Sequence, residues 1–489
     1  MNSEVFANVF ELRTFIYMVV GVGSGIGIGC LPGLTATMGV ALVLPLTFGM
    51  DATPGILLLL GVYVGAIYGG SVSAILIRTP GTPAAAATVL DGYEFAKRGE
   101  AGRALGISTL SSFIGGIISC IVLAVLSPQL AKIALRFSSP EFFTLAVFGL
   151  CVIASISGDS LAKGVLCGTL GILLACVGID SITSHMRYTY GSVNLLSGIN
   201  YIPIMIGMFA MAQVFESIED IHKQGEAGKK IDRVLPRKSD LKQIVKLAPL
   251  FGTVGTFIGI IPGAGADIAA FVAYGQARNF SKTPEKFGAG ITEGVVAPES
   301  ANNGVTGGAL IPMLTLGVPG DAVAAIMIGA LTVQGLQPGP LLFRNHATLI
   351  YSIFLGMFVA NFLMLIMGLS CIRVFVKVLS IPKAILVPTI FMLCVIGSYA
   401  MANNFFDVGV MLAFGIIGYF LNKVGISASP AVLGIILGPM AESNFRRALL
   451  MARGNYGTFY STPITWLFIS FIIISLALPI WQRHRAKKR

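Results

Sequence analysis

An all-α polytopic membrane protein, built from two inverted-topology repeats with broken or re-entrant helices and roughly ten to twelve spans, is the fold class this sequence predicts. Three observations predict it. Of 489 residues, 55% are hydrophobic and only 11% are charged, less than half the share of about 25% found in soluble domains. So few charges do not cover the wet surface of a soluble chain of this length. Apolar runs near the length that crosses a bilayer, about 20 residues, recur throughout. The two halves of the chain also resemble one another.

The apolar runs lie at residues 15–31, 56–77, 105–126, 142–156, 164–179, 202–215, 349–372, 384–400, 408–421 and 464–480. Others are shorter or interrupted by Gly and Pro. The start, MNSEVFANVFELRTF, lacks the basic segment and small-residue cleavage site of a signal peptide, so the first run is read as a retained helix. Seven cysteines fall in apolar stretches with no CxxC, which suits packing residues. Four scattered histidines form no HExxH, and neither a nucleophile–base pairing nor a cofactor fingerprint appears. There is no G-x-x-x-x-G-K-[ST] phosphate loop either. Catalysis, ATP hydrolysis and a resident cofactor are therefore not expected.

The internal similarity has three collinear parts. GIGIGCLPGLTATM (25–38) matches GTFIGIIPGAGADI (255–268) at a shift of 230, Pro32 to Pro262. Gly69-Gly70 with Thr79-Pro80-Gly81 matches Gly307-Gly308 with Val318-Pro319-Gly320 at a shift of 239, Pro80 to Pro319. LCVIAS (150–155) matches LCVIGS (393–398) at a shift of 243, Leu150 to Leu393. A duplicated chain follows. Repeat one occupies residues 1–216, with its similarity from about residue 14, a basic linker occupies 217–245, and repeat two occupies 246–447. One more helix and a basic tail fill 448–489.

The net charge of +11 is clustered. Lys229, Lys230, Arg233, Arg237, Lys238, Lys242 and Lys246 crowd the linker, and RHRAKKR (483–489) closes the chain. Short basic segments stay cytoplasmic, so these clusters are read as topology signals and not as a nucleic-acid surface. An even number of spans then separates them. Since the last helix stands outside the duplication, each repeat crosses an odd number of times and the second copy is inverted. The N-terminus, with Glu4, Glu11 and Arg13, is placed outside and the C-terminus inside. Inverted copies give nearly equivalent inward- and outward-facing states, the layout of alternating-access transporters.

Four Pro-Gly pairs interrupt apolar runs, at Pro32-Gly33, Pro80-Gly81, Pro262-Gly263 and Pro319-Gly320. Proline removes a backbone donor and glycine lowers helix propensity, so each pair predicts a helix break. Breaks at membrane depth are tolerated where the freed backbone groups are buried in protein or line a polar cavity, as at transporter sites. Thr35, Thr37 and Thr82 bring compact oxygen ligands to the first two breaks; Gly265, Asp267 and Asp321 flank the last two. A carboxylate there suggests a proton site or Na⁺, with a candidate Na⁺ position near Asp267 and Asp321. Asp and Thr are also helix caps, and that reading stays open. Between the last breaks, EGVVAPESANN (293–303) adds Glu293, Glu299, Asn302 and Asn303, which read either as groups able together to hold a cation and a carboxylate or as a polar surface loop. Arg78, beside the second break, is the anion-binding candidate. The stretch DGYEFAKRGEAGR (91–103) reads as an interfacial loop, with electrostatic anion capture as its alternative.

These strings resemble the tripartite tricarboxylate transporter family, specifically its large membrane subunit, TctA. The first block carries PGLTATMGVALVLPLTFGMD (32–51) and GVYVGAIYGGSVSAILIRTPGTPAAAATVLDGY (61–93). The second carries PGAGADIAAF (262–271), SKTPEKFGAGITEGVVAPESANN (281–303), GGALIPMLTLGVPGD (307–321) and QPGPLLF (337–343). The resemblance implies a secondary transporter of the bacterial inner membrane that imports carboxylates, with citrate as the type substrate, by symport with Na⁺ or H⁺. It implies two partners, a small four-helix membrane subunit (TctB-like) and a periplasmic solute-binding protein (TctC-like). The family's Pro-Gly motifs fall on the four pairs above, and Asn302 and Asn303 in its second block. An elevator-like movement of one part of each repeat suits the paired hairpins. The alternative is a passive anion channel or a permease of another class.

Overall fold

The computed structural model describes residues 2–156, 161–180, 182–219, 234–379 and 381–486. Lys229, Lys230 and Arg233 of the basic linker, and the last three residues of the tail, lie outside them. In chain order the main helices are α1 (Leu12–Cys30), α2 (Ala36–Val43), α3 (Ala52–Ile77), α4 (Thr88–Lys97) and α5 (Ala101–Ala134). Next come α6 (Ser139–Ile156), α7 (Leu161–Ala175), a two-stranded hairpin of β1 (Gly178–Ile179) and β2 (Met186–Arg187), and α8 (Tyr201–Glu219), which contains a π-helical turn at Ile206–Met211. The second half holds α9 (Lys238–Ile260), α10 (Ala266–Phe280), α11 (Glu293–Leu316), α12 (Ala322–Val333) and α13 (Ala347–Ser370). It ends with α14 (Lys383–Ala402), α15 (Phe405–Lys423), α16 (Ser429–Met451) and α17 (Pro463–Ala486).

Among the described residues, α1, α3, α5, α8, α9, α13, α14 and α15 are long and apolar enough to cross a membrane. Shorter apolar helices lie at Ala36–Thr47, Ser139–Cys151, Ala162–Ala175, Ala322–Val333 and Pro463–Ala477. The protein is all-α and multi-pass. The segment read from sequence as an interfacial loop, 91–103, is instead helical, forming most of α4 and the start of α5. Several of its charges are paired within the fold: Lys97 with Glu94 at 2.6 Å and Arg103 with Asp240 at 2.7 Å.

Two compact units emerge, one of residues 1–131 and 213–401, the other of 132–212 and 402–489. Each draws on both halves of the sequence. In the first unit, α1 and α3 run side by side in the same sense, Gly21, Gly25 and Gly29 facing the backbone of Leu58, Val62 and Ala66. The pairing recurs in the second half. Gly255 and Gly259 of α9 face Ala301 and Val305 of α11, each partner displaced by the shifts of 230 and 239 read from the sequence (Gly25 to Gly255, Val62 to Ala301). Only a residue without a side chain lets two backbones approach so closely. The helix ends match as well, since α3 terminates in left-handed Arg78 (φ 60°) and α11 in left-handed Gly317 (φ 72°), again 239 apart.

The α3 and α11 helices run in opposite senses. Tyr63, midway along α3, reaches Asp321 beyond the end of α11, whereas Asn302, midway along α11, reaches Ala84 beyond the end of α3. Equivalent helices of the two halves therefore lie antiparallel. In the second unit α7 packs on α16, with Gly434 against the Gly168 carbonyl, and α15 packs on the π-helical turn of α8, with Gly207 against the Met411 carbonyl. The third sequence match falls on α6 and α14, which belong to different units.

Candidate functional site

All four Pro-Gly pairs lie between helices. The α1 helix stops at Cys30 and α2 begins at Ala36; α3 stops at Ile77, and the chain passes through Pro80-Gly81 before a short turn at Pro83–Ala85. In the second half α9 stops at Ile260 before α10 at Ala266, and α11 stops at Leu316 before α12 at Ala322. The lost proline donor and the flexible glycine explain why an otherwise apolar run stops there.

The breaks of one half lie against each other. A Cβ at Gly81 would collide with the Gly29 carbonyl at the end of α1, and one at Gly320 with the Gly259 carbonyl at the end of α9. Gly263 N–H donates to the Gly320 carbonyl at 2.7 Å, joining the third and fourth breaks directly. Gly81 N–H turns back to the Gly70 carbonyl at 3.2 Å, so the second break folds onto its own helix. Pro262, Pro319, Gly81, Thr82 and Gly320 are buried, Pro32, Pro80, Gly263 and Gly265 half-buried, and Gly33 exposed.

Two hydrogen bonds then join the long buried helix of each half to the break of the other. The Tyr63 hydroxyl donates to Asp321 Oδ2 at 2.5 Å, and Asn302 Nδ2 donates to the Ala84 carbonyl at 3.1 Å. Tyr63 and Asn302 occupy equivalent positions, 239 residues apart. Each half sends one polar side chain from its long buried helix to the break of the other. Asp321 Oδ1 also accepts the Ala324 N–H at 2.7 Å, so the capping role that sequence left open is present at α12. Thr35 caps α2 in the same way, accepting the Met38 N–H at 3.1 Å.

The other candidates separate by environment. Asp267 is exposed in the first turn of α10, Thr37 is half-buried in α2, and Glu293 is half-buried in the first turn of α11. Arg78 is exposed at the C-terminal cap of α3, its guanidinium 5.8 Å from the Tyr93 ring, and is not gathered with the others. Glu299, Asn302 and Asn303 are fully buried. Asn303 Nδ2 donates to Asn302 Oδ1 at 2.7 Å and to the Glu299 carbonyl at 3.1 Å. Asn303 Oδ1 and Thr82 Oγ1 are buried without a hydrogen-bond partner. Buried polar groups of this kind are normally satisfied, and these two lie among the candidate residues. Among the described residues no group of three or more His, Cys, Asp or Glu is arranged to hold a metal ion.

Sequence reading missed Tyr63 and a hydroxyl cluster of Ser71, Thr88, Ser108 and Ser112 around Glu299. The alignment of the halves carried the signal for the first, because it places Tyr63 opposite Asn302 and Thr82 opposite Asp321.

Broken helices paired within each half, buried amides and a buried carboxyl make up the candidate site, and comparison with known proteins gives the chain a family. An Agrobacterium vitis protein described as an uncharacterized 52.8 kDa protein in the TAR-I ttuC' 3' region is 37% identical over 475 residues, 97% of this chain and 94% of its own length. A second from the same organism, described as an uncharacterized protein in the TAR-II ttuC' 3' region, is 38% identical over 234 residues, 48% of this chain and 97% of its own length. The profile of the family described as "Tripartite tricarboxylate transporter TctA family" matches residues 15–433, a span that takes in all four breaks and every buried polar group above. The chain belongs to the tripartite tricarboxylate transporter TctA family.

Proposed function

We propose that this chain is the large permease subunit of a binding-protein-dependent secondary transporter that imports a carboxylate, citrate-like or another organic acid, by alternating access driven by a Na⁺ or H⁺ gradient. It works with a small TctB-like membrane subunit and a TctC-like periplasmic binding protein in the bacterial inner membrane, with its N-terminus periplasmic and its C-terminus cytoplasmic. The observation that carries the reading is the reciprocal pair Tyr63–Asp321 and Asn302–Ala84. The antiparallel course of α3 and α11 supports two inverted copies, and inverted copies support two states of similar energy.

In this reading the solute carboxylates are received at Pro32-Gly33, Pro80-Gly81, Pro262-Gly263 and Pro319-Gly320. There helix N-termini present partial positive charge and the amides of Asn302 and Asn303 add hydrogen bonds. Bonds that join one half's helix to the other's break are the contacts that must rearrange when the site changes sides. An elevator-like displacement of part of each repeat achieves that with the site intact.

Uptake of radiolabelled citrate and related acids into proteoliposomes holding both membrane subunits, with the binding protein added outside, tests the proposal. Accumulation above the external concentration under an imposed Na⁺ or pH gradient supports it. Flux that merely equilibrates, whatever the gradient, identifies a passive channel instead.

A further inference from the structure

α11 encloses one carboxyl group completely. Glu299 has no exposed surface, and among the described residues no cation pairs with it. Its surroundings are three hydroxyls and the side-chain amide of Asn302. Thr88 Oγ1 donates to Oε1 at 2.5 Å, Ser112 Oγ donates to Oε2 at 2.9 Å, and Ser108 Oγ lies 3.1 Å from Oε2. At the shift of 239 the corresponding residue of the first half is Leu60, also buried. A hydrocarbon fills the equivalent place there, so helix packing alone does not call for a carboxyl.

Counting protons along one chain of oxygens bears on the charge state, because the single Ser108 proton cannot serve both Glu299 and Ser71. Ser108 Oγ is 2.7 Å from Ser71 Oγ, which is 2.8 Å from the Tyr68 carbonyl. The path Glu299 Oε2, Ser108, Ser71 and Tyr68 carbonyl thus has three oxygen–oxygen contacts, and each needs one proton. The carbonyl only accepts, so Ser71 gives its proton to it. Ser108 gives its single proton to Ser71. The third contact is filled only when Oε2 carries a proton and donates it to Ser108. With an ionised carboxylate, one contact in every arrangement places two oxygens together with nothing between them.

Ionisable groups on the neighbouring helices are engaged elsewhere or exposed. Tyr63 of α3 is bonded to Asp321 and Tyr68 to Thr109. Asp91 of α4 accepts the N–H groups of Gly288, Gly290 and Ile291 and the Tyr274 hydroxyl of α10. Glu94 and Lys97 pair with each other. Arg103 of α5 pairs with Glu100 and with Asp240 of α9. On the same helices Lys238, Lys242, Lys246, Asp267 and Arg278 are exposed or half-buried, and Glu293 stands at the start of α11 itself. None of these is a hydrogen-bond or ion-pair partner of Glu299.

We propose that Glu299 binds the coupling ion and that this ion is a proton, held on Oε2 by donation into the Ser108–Ser71 hydroxyl chain. The inference rests on the transport reading above and names its driving ion. The step is proton binding alone: carboxylate and H⁺ give the neutral acid on the side of higher proton potential, and the reverse occurs on the other side. A neutral carboxyl is also far cheaper to carry through a low-dielectric interior than an ion, and Na⁺ offers no such neutralisation by a covalent bond.

Infrared spectra of the purified protein test this without any substrate. The carbonyl-stretch band of a protonated carboxylic acid is expected at neutral pH in the wild type. It should shift in D₂O, move again in Ser108→Ala, vanish in Glu299→Gln, and be indifferent to Na⁺. In proteoliposomes with both partner subunits, Glu299→Gln is expected to lower pH-gradient-driven citrate accumulation at least ten-fold. A wild type without the band, or a Glu299→Gln protein that still concentrates citrate under a pH gradient, overturns the proposal. A wild type that exchanges no carboxylate strikes the transport reading instead. If Glu299→Gln does not fold, the Ser108→Ala displacement and the D₂O shift still decide.

Discussion

The hydroxyl of Tyr63 donates to the carboxylate of Asp321 at 2.5 Å across 258 residues of sequence, joining the middle of a helix in one half to the broken helix of the other. Both groups are buried, so neither has water as an alternative partner. Tyr63→Phe is expected to destabilise the protein by about 1.5–3 kcal/mol, the worth of a hydrogen bond to a charged group. Asp321→Asn should cost less when combined with Tyr63→Phe than alone. Thermal unfolding of the two single variants and the double variant measures that coupling.

Glycines of α1 make a graded series. Gly25 lies against the Val62 backbone, while nothing lies within 4 Å of a Cβ at Gly27. Gly25→Ala is expected to destabilise by about 1–3 kcal/mol through overpacking. Gly27→Ala is expected to stabilise slightly, by roughly 0.5–1 kcal/mol, as alanine replaces glycine in a helix. Gly255→Ala should copy Gly25→Ala, because Gly255 meets Ala301 as Gly25 meets Val62. Unfolding midpoints of the three variants check the order.

Two site candidates are distinguished by what else they do. Asn302 holds the Ala84 carbonyl, whereas Asp267 is exposed with its helix already begun. Asn302→Ala and Asp267→Ala are each expected to weaken citrate binding at least ten-fold, about 1.4 kcal/mol. Only Asn302→Ala should also lower the unfolding temperature. Titration calorimetry beside a thermal melt separates the two effects.

Asp180, in the loop between β1 and β2, lies well below the usual carboxylate range, chiefly because the Thr183 hydroxyl donates to it and then because Arg446 does so at 2.9 Å. A carboxylate depressed on folding contributes stability that is present above the unfolded value of about 4 and is lost as pH falls toward the folded one. Hydrogen exchange in the hairpin segment is therefore expected to quicken as pH drops below about 4. Asp180→Asn should remove that acid limb.

The sequence made the breaks legible because proline and glycine act locally, whatever surrounds them: Pro32, Pro80, Pro262 and Pro319 each lie between helices. The pairing of halves was legible from the shifts of 230 and 239, and the same shifts relate the glycine contacts. Polar partners were not legible. In an apolar run a tyrosine reads as a packing residue and serines as small fillers, and no period says which helix faces them. Tyr63, Ser108 and Ser112 acquire meaning only when α3, α5 and α11 are brought together. The helical character of 91–103 was missed because its charges looked solvated, while in the fold Asp91 is hydrogen-bonded and Arg103 ion-paired to residues nearly two hundred and more than a hundred positions away.

The account stands on two copies of one unit facing opposite sides of the membrane. Asp51, before α3, and Glu285, before α11, are both exposed and occupy comparable places in their halves. In a Cys371→Ser background, which removes the exposed native thiol, single variants Asp51→Cys and Glu285→Cys can be labelled with a membrane-impermeant maleimide in intact cells and in inverted vesicles. Labelling of one position only from outside and of the other only from inside is the predicted result; labelling of both from the same side would contradict it.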